Sequence, residues 1–248
     1  MRTVLASLLA ASTLAAAMPA RAQTAEDRAA ARDLVTRRGD AVILILATLK
    51  TRTTVGGREN SQDRPMQANA TVLDKSGLAV MALSAIEPSE AMVRRIGGAG
   101  AQVQTETAEL RMRLADGNEV PARIVLRDAD LDLAFLRPVD ALESPIPAVD
   151  AAQGKPGLMD LVIVLSRTGE QTNYRPIASF GYIQMTVEKP RTYHAVVGGN
   201  TPGAAVFDSA GRFVGVFLAV GGSRSLPFVA ILPADDIREI AKQATTAK

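Results

Sequence analysis

Between Gly198 and Ala219 the chain reads GGNTPGAAVFDSAGRFVGVFLA. This is a tight glycine turn carrying the hydroxyl of Thr201, then a short apolar strand, a hairpin and a second apolar strand. A hydroxyl in such a turn can bond its own backbone, or it can be presented for chemistry. A second cluster, DADLD, places carboxylates at positions 128, 130 and 132. That spacing opens like a calcium loop, but the sixth position is Leu133 where glycine is needed, and the twelfth is Val139 where an acid is needed. An EF-hand is therefore excluded. Paired carboxylates also serve glycoside hydrolysis, and nothing in this spacing selects it. The chain has one histidine, His194, and no cysteine. Zinc and copper sites are thereby left almost without ligands, and no metal or cofactor is expected. In the apolar run TYHAVV, His194 reads as a satisfied strand histidine rather than a ligand.

The elements that would position these groups are mostly short strands. Apolar runs at 41–49, 67–74, 78–86, 108–114, 120–128 and 131–139 form a first series, with turn signals at Asp74-Lys75-Ser76-Gly77 and Asp116-Gly117. A stretch with four prolines, 138–157, reads as a surface linker. A second series follows at 158–166, 176–187, 192–198, 203–208, 212–220 and 227–232. Thr24 N-caps a helix or lead-in expected over 24–38, a short helix over 88–96 is expected with Pro88 at its start, and PADDIREIAKQA closes the chain as a helix. The stretch VRRI is a solvated helix face. The glycines at 97–100 do not follow a strand and open a helix, so they give no nucleotide-binding signature. Two runs of about six strands predict two small antiparallel barrels. The expected divisions are 23–40 (lead-in), 41–140 (first barrel), 141–157 (linker), 158–232 (second barrel) and 233–248 (helix and tail).

The chain has 248 residues, and its 47% apolar content is enough to bury a sizeable core. Residues 1–22 pair an apolar core, TVLASLLAASTLAAA, with the small-residue pattern Ala20-x-Ala22. They read as a signal peptide cleaved before Gln23, which leaves no membrane span. Taking Arg2 and Arg21 from 28 bases leaves 26, against 26 acids. The mature chain is neutral, so nucleic acid is not an expected partner. An exported chain without cysteine relies on its core, as a periplasmic or secreted bacterial protein can.

Four segments, in order, resemble the protease domain of the HtrA/Deg family of trypsin-like serine proteases. ATVLDKSGLAVMALSAI resembles the stretch ending in the family's histidine. LRMRLADGNEVPARIVLRDADLDLAFLRPV resembles the hairpin carrying its aspartate, VVGGNTPGAAVFDSAGRFVGVFLA its serine loop, and FVAILPADDIREI the end of its second barrel and the next helix. The resemblance implies an all-β fold, a trypsin-like double six-stranded antiparallel β-barrel with a C-terminal helix. It places the triad aspartate at Asp132, the nucleophile at Thr201, the oxyanion-loop glycine at Gly199 and the histidine position at Ser84. It also places the peptide-binding edge at Ala219, Val220, Gly221 and Gly222. Many members continue into a PDZ domain, and none is expected here.

Two of the three triad positions are thus substituted. A hydroxyl nucleophile needs a base, and the aspartate acts only through that base. A nucleophilic threonine normally recruits an N-terminal amine, and Thr201 is internal. Pro202 pushes Thr201 away from the α region. The expectation is a degenerate protease that binds peptide or unfolded protein segments, or other envelope proteins, by main-chain pairing. A hydrolase with a site rearranged around Thr201 or Ser84 is the alternative, and a structural envelope protein with a closed groove is the third.

Overall fold

The computed structural model describes residues 23–55, 58–87, 102–150, 153–197, 201–220 and 228–246. The expected signal peptide, the helix expected at 88–96, Gly199, Gly221 and Gly222 lie outside the described residues. Helix α1 (Ala25–Arg38) starts at a capping box: Thr24 Oγ1 accepts from Asp27 N at 3.0 Å, and Asp27 Oδ2 accepts from Thr24 N at 2.8 Å. Glu26 and Asp27 in its first turn and Arg37 and Arg38 in its last complement the helix dipole.

The first barrel comprises β1 (Val42–Val55), β2 (Arg58–Val72), β3 (Ala79–Ala82), β4 (Gln102–Arg113), β5 (Glu119–Asp128) and β6 (Leu133–Pro138), closed in the order β1-β2-β3-β6-β5-β4. The second comprises β7 (Leu161–Arg167), β8 (Pro176–Val187), β9 (Tyr193–Val197), β10 (Ala205–Asp208), β11 (Phe213–Val220) and β12 (Phe228–Pro233), closed as β10-β11-β12-β9-β8-β7. Helix α2 (Ala234–Thr246) follows. The observed fold is the double six-stranded barrel with a C-terminal helix that the sequence implies.

The continuous apolar runs have a direct cause. Along β6, Ala134 and Leu136 fill the first barrel, while Leu133 and Phe135 join a cluster with Leu165, Phe207, Phe213 and Leu218 of the second. Along β7, Val162 and Val164 fill the second barrel while Ile163 and Leu165 join that same cluster. A strand that fills a barrel with one face and meets the other barrel with the opposite face has no polar side to show.

Three strands run well past their sequence-predicted limits. β1 and β2 pair from Val42↔Thr71 out to Val55↔Arg58, and β4 follows β1 as far as Thr54↔Gln102. β4 meets β5 only over Arg111–Arg113, so the outer parts of β1, β2 and β4 form a polar three-stranded extension beyond the barrel wall. The linker runs along the first barrel, with Ile146 N donating to Lys75 O at 3.2 Å and Val149 N to Val72 O at 2.9 Å.

Candidate functional site

Asp132 lies in the turn between β5 and β6, with a left-handed backbone (φ 58°) and only 8% exposed. Ser84 lies in a 3-10 turn, Leu83–Ala85, directly after β3. Strand pairing Ala82↔Leu133 brings the two turns together, and Leu83 N donates to Asp132 O at 2.9 Å. The side chains then meet. Asp132 Oδ1 accepts from Ser84 N at 2.6 Å, and Oδ2 accepts from Ser84 Oγ at 3.0 Å. A third donor comes from the other barrel, where Ala219 N on β11 donates to Asp132 Oδ2 at 2.9 Å. Ser84 itself is exposed, so the carboxylate lies just beneath an open surface.

Burial pushes the Asp132 carboxyl above the ordinary carboxylate range, and the bonds from Ser84 N, Ala219 N and Ser84 Oγ pull it back. Among the described residues no imidazole or amine bonds this carboxylate. His194 is on β9 in the second barrel, opposite Ile231, with Nδ1 3.0 Å from Thr186 Oγ1. Together with Thr192, Lys155, Asp235 and Asp236 it lines a separate cavity of about 360 Å³ at the start of α2.

Thr201 is exposed on the loop that enters β10. Its carbonyl accepts from Ala204 N at 3.0 Å, while Gly203 N donates to Phe217 O at 2.8 Å. Among the described residues no hydrogen bond joins Thr201 to Ser84 or Asp132. The connection runs through β11, where Phe217 holds the Thr201 loop and Ala219 holds Asp132. Those two residues are about 7 Å apart at the usual strand rise. The loop is also fastened to the first barrel. Gly203 O accepts from Thr71 Oγ1 at 3.1 Å, and Gly203, at φ 82°, lies so close to β2 that a Cβ would fall 1.9 Å from Asn69 O. Asn69 continues the junction, since its Oδ1 accepts from Arg167 N at 2.6 Å and its Nδ2 donates to Arg167 O at 3.3 Å.

Sequence reasoning missed the Asn69, Thr71 and Arg167 contacts. Their partners lie 98 to 132 residues away, and no local pattern marks such pairings. At the expected peptide-binding edge, Ala219 pairs with Val229 and Val220 with Phe228 on β12. The N–H and C=O of a strand residue point to the same side. Because Ala219 N–H faces Asp132, the Ala219 carbonyl points toward that side as well. Among the described residues no group of three or more metal-ligating side chains occurs, and no helix is long and apolar enough to cross a membrane.

Two closed six-stranded antiparallel barrels, packed with the Thr201 loop of one and Asp132 of the other held to a shared strand, define a trypsin-like fold. The trypsin-like peptidase domain profile matches residues 68–216, and the chain belongs to that family. Among solved structures it is similar to the HtrA-type protease AlgW with a tripeptide, at 19% identity and a TM-score of 0.55 over 87% of this chain and 64% of that one. A variant of AlgW with a decapeptide gives 16% identity and a TM-score of 0.59, covering 87% and 66%. The chain thus spans just under two thirds of the length of the AlgW chain with the tripeptide. No curated protein matches it.

Burial holds the His194 imidazole below its ordinary range. The unfolded chain therefore binds the extra proton first, and the neutral ring's contribution to stability is complete above the unfolded value of about 6.5. It is lost as the pH falls from there through the depressed folded value. Stability measured by urea titration should decline over that window, with a slope of at most ~1.4 kcal/mol per pH unit from this one group. His194→Gln should remove that component of the slope; an unchanged profile would exclude His194 as its source. Asp132 acts oppositely and lower. Its raised value lets the folded state hold the proton first, so its contribution grows as the pH falls into the carboxylate range.

Proposed function

We propose that this protein is an exported pseudoprotease that binds peptide or unfolded segments in the cleft between its barrels and does not cut them. The observation that carries the reading is the partner of Asp132. Ser84 supplies both its N–H and its hydroxyl to Asp132, and the chain's one imidazole is committed to Thr186 on the far strands of the second barrel. A serine can neither take the proton of Thr201 nor return it to a leaving amine.

Main-chain binding survives that loss. The Ala219 carbonyl points to the Asp132 side of a strand whose end is tied to β12, which suits the addition of an extended segment. The structures of AlgW carry a tripeptide and a decapeptide, which agrees with a peptide as occupant. The apolar segment before Gln23 supports export to the bacterial envelope.

A fluorophosphonate probe reacts only with an activated hydroxyl, so neither the natural protein nor Thr201→Ser should be labelled. Neither should release peptide from casein. Losing a triad member costs several orders of magnitude, and a less crowded hydroxyl without a base recovers almost none of it. A peptide array probed with the purified protein should show binding. Hydrolysis by the natural chain that disappears in Thr201→Ala would reject the reading and require a base near Thr201.

A further inference from the structure

Two carboxylates are buried among the described residues, Asp132 and Asp208, each 8% exposed. Asp208 holds a cation, with Arg212 Nε at 2.7 Å. The three hydrogen bonds of Asp132 all come from neutral donors, two from Ser84 and one from Ala219. Among the described residues, the basic side chains nearest in the adjoining strands are paired elsewhere, Arg127 with Glu87 and Arg137 with Asp74, and no ion pair to Asp132 occurs. An ionised carboxylate offers about four acceptor positions, so three donors leave one open. The small, exposed Ser84 can release another by turning its hydroxyl away. A buried carboxylate without a counter-charge is costly, and a cation entering from the cleft would relieve that cost.

Resting on the peptide-binding reading of the cleft, we infer that Asp132 determines its specificity by taking a basic side chain (arginine, lysine or protonated histidine) of the bound segment into the place left small by Ser84. The main chain sets the reach. A strand added against the Ala219 carbonyl lies about 4.8 Å from β11, and Ala219 N–H already touches Asp132. A long cationic side chain from that strand spans the remaining distance, and a neutral one of equal length has no charge to offer. The lost imidazole is thereby replaced by a group carried on the ligand.

The test uses ten-residue peptides in which each position is scanned as arginine, lysine, histidine, glutamine or norleucine, bound to the purified full chain at high salt so that surface charge is screened. At one position the basic residues should bind about ten-fold or more tighter than glutamine or norleucine. That preference should shrink to within about two-fold in Asp132→Asn. It should also shrink in Ser84→His, whose own imidazole takes the open position. Circular dichroism checks that each variant is folded, and Ser84→His decides if Asp132→Asn is not. Binding without a basic preference overturns the inference and leaves the peptide-binding reading standing. A preference that persists in Ser84→His also overturns it. Failure of every peptide to bind rejects the peptide-binding reading, and this inference with it.

Discussion

Gly203→Ala is expected to be among the most damaging single changes in the chain, costing roughly 4 kcal/mol or more and leaving little folded protein. Two penalties coincide there. The backbone is left-handed at φ 82°, and the added methyl would sit 1.9 Å from the Asn69 carbonyl oxygen and 2.8 Å from its carbon. Those atoms belong to β2 in the first barrel's wall and cannot swing aside as a side-chain tip would. Either β2 moves or the loop carrying Thr201 leaves its place, and the Thr71-to-Gly203 bond across the junction breaks with it. Gly117 provides the control. It has a similar φ of 93°, yet its Cβ would meet only the Arg113 guanidinium at 3.7 Å. Gly117→Ala should therefore cost only the conformational term, about 1 kcal/mol, or a few degrees in Tm for a chain of this size. Thermal unfolding compares the two, and a difference of roughly 6–12 °C is expected. Equal shifts would mean that the Gly203 contact with β2 does not exist in solution.

The contrast between these two glycines shows which parts of the sequence were legible. Asp116-Gly117 announces its hairpin by itself, because a turn with positive φ is a local demand. Gly203 is equally a glycine, but its reason is a strand more than 130 residues earlier, and no spacing rule reports that. The strands follow the same division. Runs such as LAFL and LVIVL were readable because both faces are buried. The outer halves of β1, β2 and β4 were not, since KTRTTV, RENSQDRP and QVQTET are polar on both sides and carry no apolar alternation. At the site, the resemblance placed Ser84, Asp132 and Thr201 because it transfers order along the chain. Contact between Ser84 and Asp132 needed the β3–β6 pairing, and the donor from Ala219 needed the second barrel to be docked.

Arg167→Met should be the other severe change, at about 3 kcal/mol, which corresponds to roughly 6–12 °C in Tm. The Arg167 side chain is 6% exposed at the barrel junction. Its guanidinium donates to three backbone carbonyls, Val42 O from Nε at 2.7 Å, Tyr174 O from Nη1 at 3.0 Å and Gly39 O from Nη2 at 2.8 Å. Its one acidic neighbour, Asp40 at 3.3 Å, is largely exposed and adds little. Replacing a buried ionic pair with apolar residues is often harmless, but only because both partners go together. Here the partners are main-chain carbonyls that no substitution removes. Methionine would leave the Val42 carbonyl without its Arg167 donor, at about 1–3 kcal/mol, and the Gly39 carbonyl with the Val42 N–H alone, offset in part by no longer burying a charge. Arg167→Lys should fall between, because a single ammonium satisfies fewer of three diverging acceptors than a planar fork does. The order Arg, Lys, Met in unfolding midpoint separates lost hydrogen bonds from lost charge: if charge alone mattered, Lys would match Arg. The same series should reach the cleft. Arg167 N and O hold Asn69, and Asn69 is the wall against which Gly203 rests. A junction loosened at Arg167 should therefore weaken peptide binding at a temperature where the chain is still folded, although Arg167 touches neither Asp132 nor Thr201 among the described contacts. Undiminished binding in a destabilised Arg167→Met would show that the Thr201 loop is held by β11 alone.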